Sequence, residues 1–256
     1  MNIFKRTRII YILHHYAIKH DLWLNVSENL SVLQNMSAVE RAHLRELSTL
    51  FLYEKNIFAV QGLQLTDEMR VIIAVQACLP ILGLGISLFS RWSDVIIYPD
   101  AFQINRDVQD EYGIVHHEKQ LLSGESWSRG PVIFSWRDIE MDRQRGQQGH
   151  NVIVHEIAHK LDALNGRVNG MPALHYSMQT ALWTDIFSQS YEKLNQQLDY
   201  HQRPYIDPYA ATSPAEFFAV FSEYFFSAPQ ILSIHFNKIY QQLKLYYRQD
   251  PVNRII

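Results

Sequence analysis

A single cysteine, Cys78, stands in the 256 residues, so no internal disulfide is possible and packing has to hold the fold. That usage fits a reducing compartment. Excess basic charge is missing too: 23 Lys and Arg face 26 Asp and Glu, a net charge of −3. Nucleic acid is gripped through clustered cations and released counterions, so it is not an expected partner. There is no Gly/Ser-rich linker, internal repeat or low-complexity tract. With no seam to divide it, the chain reads as one domain over residues 1–256. A helical part, about residues 1–92, is expected to pack on the remainder, about residues 93–256.

Uninterrupted apolar runs are scarce. Ile9 to Leu13 is too short for a signal-peptide core, and His14-His15 ends it. Val71 to Phe89 carries no charge over 19 residues, but Gln76, Pro80, Gly83, Gly85 and Ser87 break it up. Proline inside a helix costs about 3 kcal/mol. A buried helix that breaks near Pro80 is expected in place of a membrane span. The chain is accordingly read as cytoplasmic, with no membrane partner.

What is present is a large core: 47% of the residues are hydrophobic, and 14 Tyr and 13 Phe make it rich in rings. Ser37-Ala38-Val39-Glu40 is a capping box, and Leu44, Leu47, Phe51 and Leu52 follow at helical spacing to about Lys55. Thr66 caps the next helix, with Asp67-Glu68 suited to its positive end. Asp94 to Tyr98 and Pro131 to Trp136 are short, β-branched and aromatic, as strands are, and Gly113 to Leu122 alternates more weakly. After Asn151 helices return, one of them opening at Ser213-Pro214. The first hundred residues read as helical, so helices, a small sheet and helices again predict a mainly helical α+β fold.

The chemistry sits in His155-Glu156-Ile157-Ala158-His159, an H-E-x-x-H pattern. Residues four apart on a helix lie one above the other, so both imidazoles can face one zinc ion at about 2.0–2.1 Å. Glu156, beside the first histidine, is placed to act as general base. Asn151 is a good N-cap, Val152, Ile153, Val154, Ile157, Ala158 and Leu161 bury the helix, and Asn165-Gly166 stops it. The pattern is that of a zinc peptidase of the zincin type, which needs a third protein ligand. Glu216 in Ser213-Pro214-Ala215-Glu216 is a candidate, but Ser-x-x-Glu is equally a capping box. Glu223, seven residues on, shares its face and competes for the role. Asp162 is a further acid, as ligand or as a hydrogen-bond partner behind one. His14-His15 and His116-His117 put adjacent rings on diverging faces, poor geometry for one metal, and are expected in solvent.

The stretch Asn151 to Asp162, together with Ile206-Asp-Pro-Tyr-Ala-Ala-Thr-Ser-Pro-Ala-Glu-Phe-Phe-Ala219, resembles the Mlc titration factor A family. So do Ile73 to Pro80, Tyr98-Pro99 and Tyr247 to Pro251. The core motifs are also similar to the catalytic domain of anthrax lethal factor. The resemblance implies a cytosolic zinc peptidase with aminopeptidase-type activity that binds the glucose repressor Mlc and so affects the glucose phosphotransferase system. The alternative it leaves is a protein that mainly sequesters the repressor. Position by position, it implies His155, His159 and Glu216 as ligands of one Zn2+ and Glu156 as base. It adds Tyr209, whose phenol can donate to the oxyanion. Lys160 departs from the general zincin pattern, which has an uncharged residue after the second histidine, and is expected to point to solvent. By analogy of fold, Pro131 to Trp136 is the expected edge strand that receives extended peptide substrate.

Overall fold

The computed structural model describes residues 3–100, 102–109, 115–122, 124–126, 130–146 and 148–254. Caps decide where its helices begin. Ser37 accepts the Glu40 amide hydrogen, the Glu40 carboxylate takes that of Ser37 at 2.9 Å, and α3 (Ala38–Glu54) follows. It is preceded by α1 (Ile3–His15) and α2 (His20–Glu28). Strand β1 (Asn56–Ala59) leads to α4 (Asp67–Cys78), which Thr66 caps through the Met69 amide. Then come β2 (Asp94–Tyr98), β3 (Phe102–Gln109), β4 (Val115–Leu122), β5 (Gly124–Ser126) and β6 (Val132–Ser135). Helices α5 (Trp136–Arg145), α6 (Val152–Asp162), α7 (Thr180–Asp199), α8 (Pro214–Ser227), α9 (Pro229–His235) and α10 (Asn237–Tyr247) complete the chain. The protein is mainly helical with a small sheet, as the α+β reading expected.

The sheet runs in the order β1-β2-β6-β5. Its first three strands are parallel, with Ile57 beside Val95 and Val95 beside Val132, and β5 is antiparallel, with Ser126 beside Val132. Strands β3 and β4 form a separate antiparallel pair. Three expectations need correction here. Strand β1 interrupts the stretch read as all helix; its four residues bury only Ile57, too short a pattern to see. The strand expected over Pro131 to Trp136 covers only Val132–Ser135, because Ser135 caps α5 and Trp136 already belongs to that helix. Nor is that strand an edge: all four of its residues are buried and it pairs on both sides. Among the described residues the edge beside the metal helix is β5, which packs on α6. The weaker third strand is β4; residues 113 and 114 lie outside the described residues.

Helix α4 is buried from Val71 through Cys78, and its free cysteine is inside the core. The helix closes at Leu79, before Pro80, so the apolar run is broken where expected. Among the described residues no single helix is long and apolar enough to cross a membrane. The ring-rich core gathers around α8: Trp183 stacks on Phe187 at 4.1 Å, Phe217 on Phe221 at 4.1 Å, and Tyr247 donates to Ser222 at 2.7 Å. Buried rings of this size supply much of the apolar stabilisation of a core. Helix α6 lies between α4 and α8, with β5 and β6 against it. The helix carrying the H-E-x-x-H pattern is therefore packed on several sides.

Candidate metal centre

A helix begins with amide hydrogens that have no partner within it. In α6 three of these are met by side chains. Asn151 accepts the Val154 amide at 2.9 Å, Asp142 accepts that of Val152 at 2.8 Å, and Glu223 accepts that of Asn151 itself at 2.6 Å. The Asn151 amide group donates in turn to Gln76 in α4 at 2.8 Å. Two carboxylates at the positive end of the helix also suit its dipole. Sequence reading found the Asn151 cap but missed Gln76 and Asp142 in this role. They lie 75 and about 10 positions away in the chain, with no local signal to tie them to the helix.

One turn on, His155 and His159 bring their Nε2 atoms within 3.2 Å of each other. Ser213 caps α8 through the Glu216 amide at 3.2 Å, while the Glu216 carboxylate turns inward. Its Oε2 lies 3.0 Å from His155 Nε2 and 3.4 Å from His159 Nε2. Ser213 thus caps the helix through the Glu216 N–H, while the Glu216 side chain, instead of closing the capping box, reaches the histidines. The three donor atoms form a triangle with edges of 3.0, 3.2 and 3.4 Å. Ligands at about 2.05 Å in tetrahedral array stand about 3.3 Å apart, so the triangle has the size of one face of a tetrahedral metal site. Glu216 Oε2 is buried and makes no hydrogen bond. The donor set and its orphaned oxygen fit a divalent cation.

Glu223 is not at the convergence point. Its Oε1 pairs with His155 Nδ1 at 2.7 Å, which leaves Nε2 to face the cluster. Asp162 is fully buried and turned away: its carboxylate accepts the Gly170 amide at 2.7 Å. Gly170 itself sits at φ +77°, where an added Cβ would come within 2.2 Å of the Pro214 carbonyl oxygen. This contact locks the loop after α6 against the first turn of α8. Tyr209 lies on a short turn, Pro208–Ala211, with its ring centroid 6.1 Å from that of His155. His14 and His15 are exposed as expected, but their rings do not diverge, with centroids 4.8 Å apart; the side chains of His116 and His117 lie outside the described residues.

The electrostatics follow from burial among charges. Burial pulls His155 down, but Glu223 and Glu216 outweigh it and hold its pKa well above the ordinary imidazole range. Burial pushes Glu216 up, yet the two imidazoles bring it far below the usual carboxylate range. Glu156 is raised to about 7, mainly by burial, with His155 and His159 opposing. Burial, then the carboxylates of Glu216 and Glu156, lift the Tyr209 phenol to about 12. Lys160 overturns an expectation: it is buried, not solvent-facing, and donates to the Gly130 carbonyl at 2.8 Å. That face of α6 turns to the sheet, and the ammonium stands 5.7 Å from the centroid of the Trp92 ring. Burial lowers its pKa to about 8.

Comparison with known proteins points to a metal-dependent peptidase. The family described as glucose-regulated metallo-peptidase M90 matches residues 2–248. Mlc titration factor A of Klebsiella pneumoniae (strain 342) is 39% identical over 229 residues, 88% of this chain and 85% of that protein. An uncharacterized protein of Synechocystis sp. is 39% identical over 228 residues, covering 89% and 83%. Mlc titration factor A of Escherichia fergusonii is 38% identical, covering 88% and 85%.

Proposed function

The chain belongs to the family of glucose-regulated M90 metallopeptidases, and from that premise we propose that it is a cytoplasmic zinc peptidase of aminopeptidase type with a zincin-like fold. The observation that carries the reading is the triangle of His155, His159 and Glu216 donor atoms. We take the whole chain as one catalytic unit. When bound, the metal supplies Lewis acidity to the reacting groups. Glu156 takes a proton from the attacking water and returns it to the leaving amine; a carboxylate raised to about 7 is well matched to both tasks near neutral pH. Tyr209 stays protonated through that range, since its phenol is raised to about 12, and its hydroxyl donates to the developing oxyanion. Glu223 keeps the His155 ring oriented.

Zinc-loaded protein is expected to hydrolyse unblocked aminoacyl anilides, to lose the activity on chelation and to regain it with about one zinc per chain. An N-acetylated anilide hydrolysed at the same rate would remove the aminopeptidase part of the reading. Hydrolysis that persists in full without metal would remove the whole of it.

The name of its relatives, Mlc titration factor A, supports a second activity, binding of the glucose repressor Mlc. An ordinary interface buries about 800 Å² per partner, more than a metal cleft offers. Glu156→Gln is therefore expected to bind purified Mlc within about tenfold of wild type, or 1.4 kcal/mol. A titration followed by anisotropy checks this. Loss of binding in a folded, metal-loaded variant would instead place the repressor in the cleft.

A further inference from the structure

A buried ammonium is costly unless it is hydrogen-bonded or paired. Lys160 is 2% exposed, one residue past His159 and one helical turn past Glu156. Its Nζ donates to the carbonyl of Gly130 at 2.8 Å. Gly130 stands two residues before β6, at the end of the connection from β5. Those strands are antiparallel neighbours, with Ser126 beside Val132 and Gly124 beside Phe134. Strand β5 packs on α6 and has no further strand on its other side among the described residues. A single side chain thus ties the helix that carries the histidines to the backbone just before β6, the strand on which β5 is paired. A methionine of similar length would fill the same space without burying a charge. The hydrogen bond to Gly130 is one contact that a lysine makes and a methionine cannot.

We propose that Lys160 is a positioning residue for extended peptide substrate, fixing the height of β5 above the metal helix through the Gly130 carbonyl. The proposal rests on the peptidase reading. An extended peptide adds to the free side of β5 through backbone hydrogen bonds. Where β5 runs therefore sets how far the substrate backbone lies from His155, His159 and Glu216. A peptide paired with a shifted strand loses about one backbone hydrogen bond's worth of binding, roughly tenfold, so the loss falls on KM. An aminoacyl anilide has no chain to lay along the strand and is insensitive to its height.

Lys160→Met is the test, with Lys160→Arg as a variant that keeps a donor. In Lys160→Met, amide hydrogen exchange across Gly124–Ser126 and Val132–Ser135 is expected to speed up, with zinc content unchanged. KM for an extended peptide is expected to rise about tenfold with little change in kcat, and anilide hydrolysis to hold. Lys160→Arg is expected to restore part of the exchange protection and of the peptide KM. Unchanged exchange, or an equal loss on both substrates, overturns the proposal. Failure of the peptidase reading looks different: zinc-loaded wild type then hydrolyses neither substrate, while hydrogen exchange still decides whether Lys160 holds the strand.

Discussion

Glu156→Gln is expected to retain its metal and lose about 10²–10⁴-fold of peptidase activity, the usual worth of a general base. Glu156 is buried and stands outside the triangle of donor atoms, so an amide in its place removes the proton acceptor and leaves the ligands untouched. Unfolding will not account for the loss. The Glu156 pKa is raised to about 7 by burial, so the ionised form disfavours the fold. That penalty is absent below the unfolded value, 4.5, and complete above about pH 7. A neutral glutamine does not carry it, and the metal-free variant is expected to melt at or above the wild-type temperature at pH 8. Activity and zinc content of the same preparation, with a melting curve, check all three points. Near wild-type hydrolysis would remove Glu156 from the mechanism.

The parts of this site that were legible in the sequence are those that lie close together along the chain. The His155 and His159 pair, the Asn151 cap and the Ser37 and Thr66 caps are all written within four residues, and each forms as read. Glu216 was half legible: Ser-x-x-Glu marks a helix start whether or not the carboxylate is used elsewhere, and only the fold shows it facing the histidines. Glu223, seven residues past Glu216, and Asp162, three past His159, both offer a carboxylate, and residue type alone does not assign their partners. One turns to His155 Nδ1 and the other to the Gly170 amide, contacts 68 and 8 residues away. Lys160 was misread because a charge usually marks a wet face. Its ammonium escapes the rule by finding a backbone carbonyl 30 residues back. Strand order is likewise a long-range property, and it placed β6 inside the sheet and β5 at the edge.

The second large effect separates the two glutamates of α8. Glu216→Ala takes away one of three donors and the only negative charge among them, leaving two imidazoles on one helix face. Zinc affinity is expected to fall by more than about 10²-fold, because even a partner behind a ligand is worth 10–100-fold. Glu223→Gln is expected to fall within that smaller range. The carboxylate of Glu223 accepts from the Asn151 amide at 2.6 Å and pairs with His155 Nδ1 at 2.7 Å. A glutamine has one acceptor oxygen and one NH2 group, so it cannot accept at both places. One contact must break, or His155 must take its other tautomer, whose proton on Nε2 blocks that nitrogen as a ligand. Competition with a chromophoric chelator, run on both variants at fixed pH, gives the two affinities directly. A Glu223→Gln protein without zinc beside a Glu216→Ala protein that binds as wild type does would transfer the ligand role to Glu223. The expected order, Glu216→Ala far weaker than Glu223→Gln, leaves Glu216 on the metal and Glu223 behind the histidine.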